Sequence, residues 1–303
     1  MRRRTILAAA AGALALPAGC APADLLNATI PTSGLSVQRG MRYGAAERQA
    51  LDLYRPDGGG PARPVVVFFY GGSWRTGRRG DYLFVAEALV RRGFVVAVPD
   101  YRLYPEVVFP AFLEDCAAAV AWVLAHVAAH GGDPSRVALV GHSAGAYNAV
   151  MLGLDPALLE AVGLGQESLA GVIGLAGPYD FLPITDPDVV PVFASVGDGP
   201  ASQPINYVDG RNPPMLLLAG DADETVRPRN TVRLAERIRQ AGGTVQAKFY
   251  PGVGHIGIVA AFAPLFRSRA PVLEDVVAFA AAAHPGPCEA GLCKRFPPTR
   301  LGS

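Results

Sequence analysis

The stretch RVALVGHSAGAYNAV, residues 136–150, sets Ser143 between Gly141 and Gly145, after an apolar run and before a helical pattern. Glycines two residues either side of a serine permit a tight strand-to-helix turn that pushes the hydroxyl into the open above the sheet. A serine hydroxyl is a poor nucleophile at neutral pH, so it needs a base within hydrogen-bond reach and a third group to orient that base. Of the five histidines, His126 and His130 lie four apart in one helical stretch with no third ligand nearby, and His284 sits in the C-terminal segment. His142 adjoins the serine and is expected to point away from it. His255 remains, in YPGVGHIGI, directly after a strand-like run. The orienting acid is sought in MLLLAGDADETV, which offers Asp221 and Asp223 just beyond a buried run.

Together these residue types can transfer an acyl group. That reaction passes through a tetrahedral intermediate with a negative oxygen, which preorganised N–H donors stabilise. The stretch PVVVFFYGGSW, residues 64–74, runs a strand into Gly71 and Gly72, where the chain can turn sharply and leave amides unpaired. The amide of Ala144, at the start of the helix after the nucleophile, is a further donor.

The elements that must hold these residues alternate. Strand-like runs are predicted at 50–54, 64–70, 94–98, 136–141, 170–176, 214–219 and 244–250, and helices at 80–92, 110–129, 144–154, 228–241 and 272–283. Strict alternation predicts an α/β protein with a mostly parallel sheet, eight strands in all, covered by helices on both faces. Residues 40–55 read as an antiparallel hairpin at the sheet edge, after a polar leader to about Gly40. The irregular stretch 178–213 is rich in proline, aspartate and glycine, and a loop of that length in a compact domain is usually functional or mobile. It carries no long amphipathic helix, so a helical lid is not expected. Pocket depth is expected to be set by residues 25–45 and 178–213, with Tyr70, Trp74, Tyr147 and Tyr179 as candidate lining residues.

Half of the 303 residues are hydrophobic and 17% are charged, enough for a sizeable core. The net charge of +1, with basic residues dispersed, gives no field that would draw nucleic acid. Residues 1–20, MRRRTILAAAAGALALPAGC, have a basic start, a short apolar stretch and small residues before Cys20, the architecture of an export signal. The apolar part is too short to span a bilayer, which takes about 20 residues. The segment from Arg3 to Leu7 resembles a twin-arginine signal, and LPAGC resembles a lipobox, which makes Cys20 a candidate for lipidation and an exported, periplasmic or lipid-anchored protein the expectation. A lipid on Cys20 is the sole membrane anchor foreseen. Cys288 and Cys293, in PCEAGLC, are spaced to close a small disulfide in an oxidising compartment. No metal site is expected there, since zinc would need two more ligands. Cys116 reads as a buried thiol. The domain division is therefore a signal over 1–20, a catalytic domain over 40–284 and a tail over 285–303.

The motifs carry a resemblance that extends from about Tyr43 to Phe279. DYRLYPEVVFPAFLEDCAAAVAWV, residues 100–123, resembles the carboxylesterase and hormone-sensitive-lipase branch of the α/β-hydrolases, and GGDPSR at 131–136 resembles a turn in that branch and in its feruloyl, acetyl and isoprenylcysteine methylesterase relatives. The resemblance implies the α/β-hydrolase fold, no cofactor, and an acyl-enzyme mechanism on small carboxylic esters. Its G-x-x-D-x-x-V pattern implies Asp223 as the acid and its chain order Ser143, Asp223, His255 as the triad. Its glycine loop implies Gly72 and Ser73 as oxyanion donors with Ala144. Tyr70 stands where those families have histidine, so the loop is expected to be braced differently, with the Tyr70 ring beneath it and the hydroxyl tied to a neighbouring backbone or acidic group. Two other readings share the fold: an amidase or formamidase with the same triad, and a non-catalytic binding protein.

Overall fold

The structure, a computed structural model, describes residues 26–282. The expected export signal with Cys20, the disulfide candidates Cys288 and Cys293, His284 and the expected tail lie outside the described residues.

Eight strands form one sheet: β1 (Leu35–Arg42), β2 (Ala50–Pro56), β3 (Arg63–Phe69), β4 (Val95–Pro99), β5 (Gly132–His142), β6 (Gly171–Leu175), β7 (Met215–Gly220) and β8 (Val245–Tyr250). Their spatial order is β1-β2-β4-β3-β5-β6-β7-β8. The pairs β1/β2 and β2/β4 are antiparallel and the remaining pairs parallel. The central strands are continuous runs of valine, leucine and phenylalanine because helices cover both faces; Val65 to Phe69 and Met215 to Ala219 are buried throughout. At the far edge β8 is half covered, and its burial alternates along much of its length.

Among the described residues the helices between and after the strands are α1 (Leu83–Val90), α2 (Ala111–His126), α3 (Ala144–Leu154), α4 (Pro156–Glu160), α5 (Arg229–Gln240), α6 (His255–Ala260) and α7 (Val272–Ala282). Every residue of α3 is buried, so the helix behind Ser143 is embedded in the core. In α5, Leu234, Ala235 and Ile238 face inward while its arginines stay outside, the pattern of a surface helix. Cys116, on α2, is a free, fully buried thiol, as expected.

Three expectations need correction. The polar leader ends sooner than Gly40, because β1 already pairs with β2 from Leu35, through a register shift between Gln38 and Met41. The short helices α4 and α6 have too few residues to show a helical period in the sequence. The GGDPSR segment is not a separate turn; it is a bulge inside β5, whose pairing with β3 jumps from Arg63–Gly132 to Val65–Val137. There Asp133 Oδ1 accepts the Ser135 amide and hydroxyl.

Candidate active site

Ser143 sits between β5 and α3 with φ of 55° and ψ of −122°, in the left-handed region that non-glycine residues rarely occupy. Close packing creates this strain and explains both flanking glycines. A Cβ on Gly141 would collide with the Gly145 carbonyl, and one on Gly145 with the carbonyls of Phe69 and Tyr70. The turn is pinned by the Ser143 amide, which donates to Leu175 O at 2.9 Å across to β6.

Two loops at the carboxyl ends of β7 and β8 complete the constellation. His255 opens α6, with Nε2 2.9 Å from Ser143 Oγ and Nδ1 2.8 Å from Asp223 Oδ2. An ionised carboxylate can only accept, so Nδ1 carries the proton and the Nε2 lone pair faces the serine hydroxyl. Asp223 is held in turn: its Oδ1 accepts the amides of Thr225 at 2.9 Å and Val226 at 2.8 Å, and its side chain is fully buried. Asp221, the other candidate acid, is exposed and accepts the Gly252 amide at 2.7 Å. The geometry brings Asp223 and not Asp221 to the histidine.

His142 does point away from the serine hydroxyl, yet it is not idle. Its Nε2 lies 3.0 Å from the His255 carbonyl and its ring 4.9 Å from the His255 ring, so it backs the loop that carries the base. Burial, with the His255 ring beside it, pulls its pKa down to about 3, which keeps it neutral.

The 71–77 loop faces Ser143 from the end of β3. Gly72, Ser73 and Trp74 have φ of 120°, 52° and 55°. The loop folds back on itself, the amides of Arg75 and Thr76 donating to Gly72 O at 2.9 and 3.0 Å. A Cβ on Gly72 would strike Thr76 O, so only glycine fits this position. Ser73 and Ala144 line the cleft beside Ser143; Gly72 precedes them in the loop without lining it.

Beneath the loop, Tyr70 is fully buried, and its ring stacks between Tyr101 and Tyr82 at centroid distances of 4.9 and 5.5 Å. Its hydroxyl donates to Asp100 Oδ1 at 2.7 Å and accepts from Arg48 Nη2 at 2.7 Å. The same Arg48 nitrogen reaches Gly77 O at 2.7 Å, and Asp100 also receives the Arg79 amide at 2.6 Å and the Arg79 guanidinium. The loop is thus tied at Gly77 and Arg79 to a buried ionic network whose hub is the Asp100 carboxylate. Burial, then Tyr101 and Asp100, hold the Tyr70 phenol well above the ordinary tyrosine range, so it stays a donor.

The cleft above Ser143 encloses about 270 Å³. Its apolar wall comes from Pro178, Phe181, Pro183, Ile184 and Val189, and the opposite wall from Thr225, Val226 and Asn230. Of the four candidate lining residues only Trp74 borders the cleft. Tyr70 lies under the loop, and Tyr147 and Tyr179 are fully buried behind it, because large rings near the nucleophile serve as core on an α/β scaffold. Residues 26–45 contribute nothing to the lining either. The 178–213 stretch contains only short 3₁₀ turns at 190–193, 200–202 and 204–207, and no lid helix. The sequence reading missed Asn148, whose Oδ1 accepts the Trp74 indole at 2.9 Å, and Asn230, whose Oδ1 receives the amides of Tyr179 and Asp180 at 2.9 Å each. Asn148 is a polar residue inside an apolar helix, and Asn230 sits at the start of an arginine-rich one. A buried polar side chain has a partner as a rule, but sequence does not name it.

An eight-stranded, mostly parallel sheet with Ser143, Asp223 and His255 at its strand ends is the α/β-hydrolase fold. The BD-FAE family model matches residues 51–238, and the chain belongs to that family. It is 27% identical to the isoprenylcysteine alpha-carbonyl methylesterase ICME of Arabidopsis thaliana over 265 residues, which cover 80% of this chain and 61% of that protein. It is 28% identical to the esterase LipQ of Mycobacterium tuberculosis over 70% of this chain and 55% of that one. The chain therefore spans between half and two-thirds of the curated relatives it matches. Among solved structures, a bacterial heroin esterase aligns with a TM-score of 0.68 and 25% identity, covering 86% of this chain and 87% of that one.

Proposed function

We propose that the protein is a serine carboxylesterase that cleaves small carboxylic esters through an acyl-enzyme. The observation that carries the reading is the unbroken relay from Asp223 through His255 to Ser143, 2.8 and 2.9 Å long, opening on a cleft with one apolar wall. The esterase names of its relatives and of the aligned structure support the same class.

In this reading His255 Nε2 takes the Ser143 proton as Oγ attacks the ester carbonyl. The negative oxygen that forms is held by the amides of Ser73 and Ala144, which border the cleft, with Gly72 next to Ser73 in the loop as the further donor that the resemblance implies; such donors are typically worth about 3 to 4 kcal/mol each. His255 then hands its proton to the departing alcohol, leaving an acyl group on Ser143. Water, deprotonated by the same histidine, releases the acid. Asp223 fixes the tautomer and stabilises the imidazolium. No step calls for a cofactor. A cleft of about 270 Å³ is just below the usual 300–1,000 Å³ of small-molecule sites and suits short acyl chains. The amino-terminal signal further supports work outside the cytoplasm, either free in the periplasm or anchored through Cys20.

Stopped-flow hydrolysis of p-nitrophenyl acetate tests the reading. The expected result is a burst of about one p-nitrophenolate per chain before steady turnover. A linear trace at the uncatalysed rate would mark a binding protein of the same fold.

A further inference from the structure

At the end of the sheet opposite the triad, a second cavity of about 230 Å³ lies between the 56–61 loop and the 3₁₀ turn Val127–His130, at the starts of β3, β4 and β5. Its charged lining is all basic: Arg55, Arg63 and His130, with no carboxylate.

Most half-buried guanidinium groups among the described residues meet a carboxylate or a carbonyl. Arg48, Arg79 and Arg102 are half-buried and each meets a carboxylate. Arg55 and Arg63 are also half-buried, yet among the described residues neither side chain makes an ion pair or a hydrogen bond; the Arg55 Nε–H is buried without an acceptor, as are those of Arg136 and Arg267. A guanidinium group has five donors, so two of them without a carboxylate on the lining of one cavity leave donors for an added acceptor. The field there is cationic. The pKa of His130 is lowered, first by its burial, then by Arg55 and by the neighbouring His126. The rim facing the two arginines is Gly58–Gly59–Gly60; a Cβ on Gly58 or Gly59 would meet nothing, so this wall is bare backbone open to a small ligand.

We propose that this cavity binds a tetrahedral oxyanion of the phosphate class, either phosphate itself or a small phosphomonoester. The planar guanidinium offers paired donors that match phosphate oxygens, and His130 would add a third donor once an anion offsets the charge of Arg55. The volume accommodates such a group but not a folded peptide or nucleic-acid strand. The site is separate from the ester cleft and independent of the function proposed above.

The experiment uses the full chain and inorganic phosphate at constant ionic strength, with chloride as the balancing salt. The His130 ring resonances are followed by NMR. Saturable shifts and an upward move of the His130 titration midpoint are expected, with no comparable change for His126, which is exposed and outside the lining. Arg55→Gln should weaken phosphate binding at least about tenfold, and Arg63→Gln should do so independently. Both should retain wild-type hydrolysis of p-nitrophenyl acetate, which shows that they fold. Flotation with phosphatidylcholine vesicles, with and without phosphatidylglycerol, identifies the source of the phosphate: the small cavity predicts binding of the free anion without vesicle capture. Capture by anionic vesicles that Arg55→Gln abolishes would assign the site to a lipid phosphate instead. Chloride-matched shifts that never saturate, or equal phosphate affinity in both arginine variants and wild type, would overturn the proposal.

Discussion

The 70–79 segment and the 178–213 stretch both face Ser143, and they are built in opposite ways. The first is fixed from below: Tyr70 is stacked and hydrogen-bonded, Gly77 and Arg79 are tied to Arg48 and Asp100, and Gly72 is locked by Thr76. The second is anchored at separate points, with exposed chain between them: Phe193 is fully buried among Trp74, Phe109, Phe112 and Tyr147. Asn230 holds Tyr179 and Asp180, Gln203 Oε1 accepts the Phe181 amide at 2.7 Å, and Tyr147 donates to Ser202 O at 2.9 Å, while residues 185–188 are exposed. Groups that must meet a developing charge lose rate when misplaced by even an ångström, so rigidity is concentrated where the oxyanion forms. A wall that only contacts the acyl chain tolerates looser support.

The largest expected effect lies on the rigid side. Ser143→Ala should lower kcat by about a million-fold, leaving what the oxyanion donors and binding supply. Turnover within a hundredfold of wild type would remove Ser143 from the nucleophile's role. Next, Asp223→Asn should cost about ten-thousand-fold through loss of the correct tautomer, whereas Asp221→Asn, whose partner is only the Gly252 amide, should change kcat less than about threefold. The reverse ranking would mean that the acid has been misassigned.

The wall is probed by chain length. Across p-nitrophenyl esters from acetate to palmitate, kcat/KM should peak at acetate to butyrate and fall at least about tenfold by palmitate, since single methylenes in such pockets already matter by that factor. No rise at an oil–water interface is expected, in keeping with the absence of a lid helix over 178–213. Faster cleavage of palmitate than of butyrate would contradict the short cleft.

Tyr70→Phe sharpens the comparison. It keeps the stacked ring and removes only the hydroxyl between Asp100 and Arg48, so kcat should drop roughly tenfold, about 1.4 kcal/mol, with KM nearly unchanged. Unaltered kcat would reduce Tyr70 to core packing.

The remaining expectation concerns stability rather than rate. The folded chain holds His142 neutral down to about pH 3, while an unfolded histidine takes up a proton below about 6.5. Between those values the unfolded state binds more protons, so this histidine's contribution is complete above pH 6.5 and is lost as pH falls, by up to about 1.4 kcal/mol per pH unit. Urea unfolding of wild type and His142→Gln from pH 7 to 4 should show the shallower slope in the variant. Parallel slopes would mean that His142 takes up its proton in the folded chain.

What was legible in the sequence follows the same division. The β3, β5 and β7 runs announce a doubly covered sheet because burial on both faces leaves no polar position. The G-x-S-x-G turn and the histidine after β8 are local patterns whose chemistry depends on a few consecutive residues. The site of Asp223 required a resemblance, since an aspartate two positions away passes every local test. Tyr147 and Tyr179 were misplaced in the cleft because a ring's direction depends on which helix packs above it, and Phe181 and Ile184 are foreseen only as part of the 178–213 stretch because the register of an irregular loop leaves no periodic trace. Arg48 could not be foreseen under Tyr70, as 22 residues and two strands separate them.

The central claim is that Ser143 carries the acyl group. Acid-quenching the reaction with p-nitrophenyl acetate during the burst and mapping the chain by mass spectrometry tests it most directly. The account predicts one acetyl group per chain, on the peptide containing Ser143 and absent from Ser143→Ala. Turnover without any acetylated chain, or acetyl on a residue other than Ser143 that disappears at the rate of turnover, would contradict it.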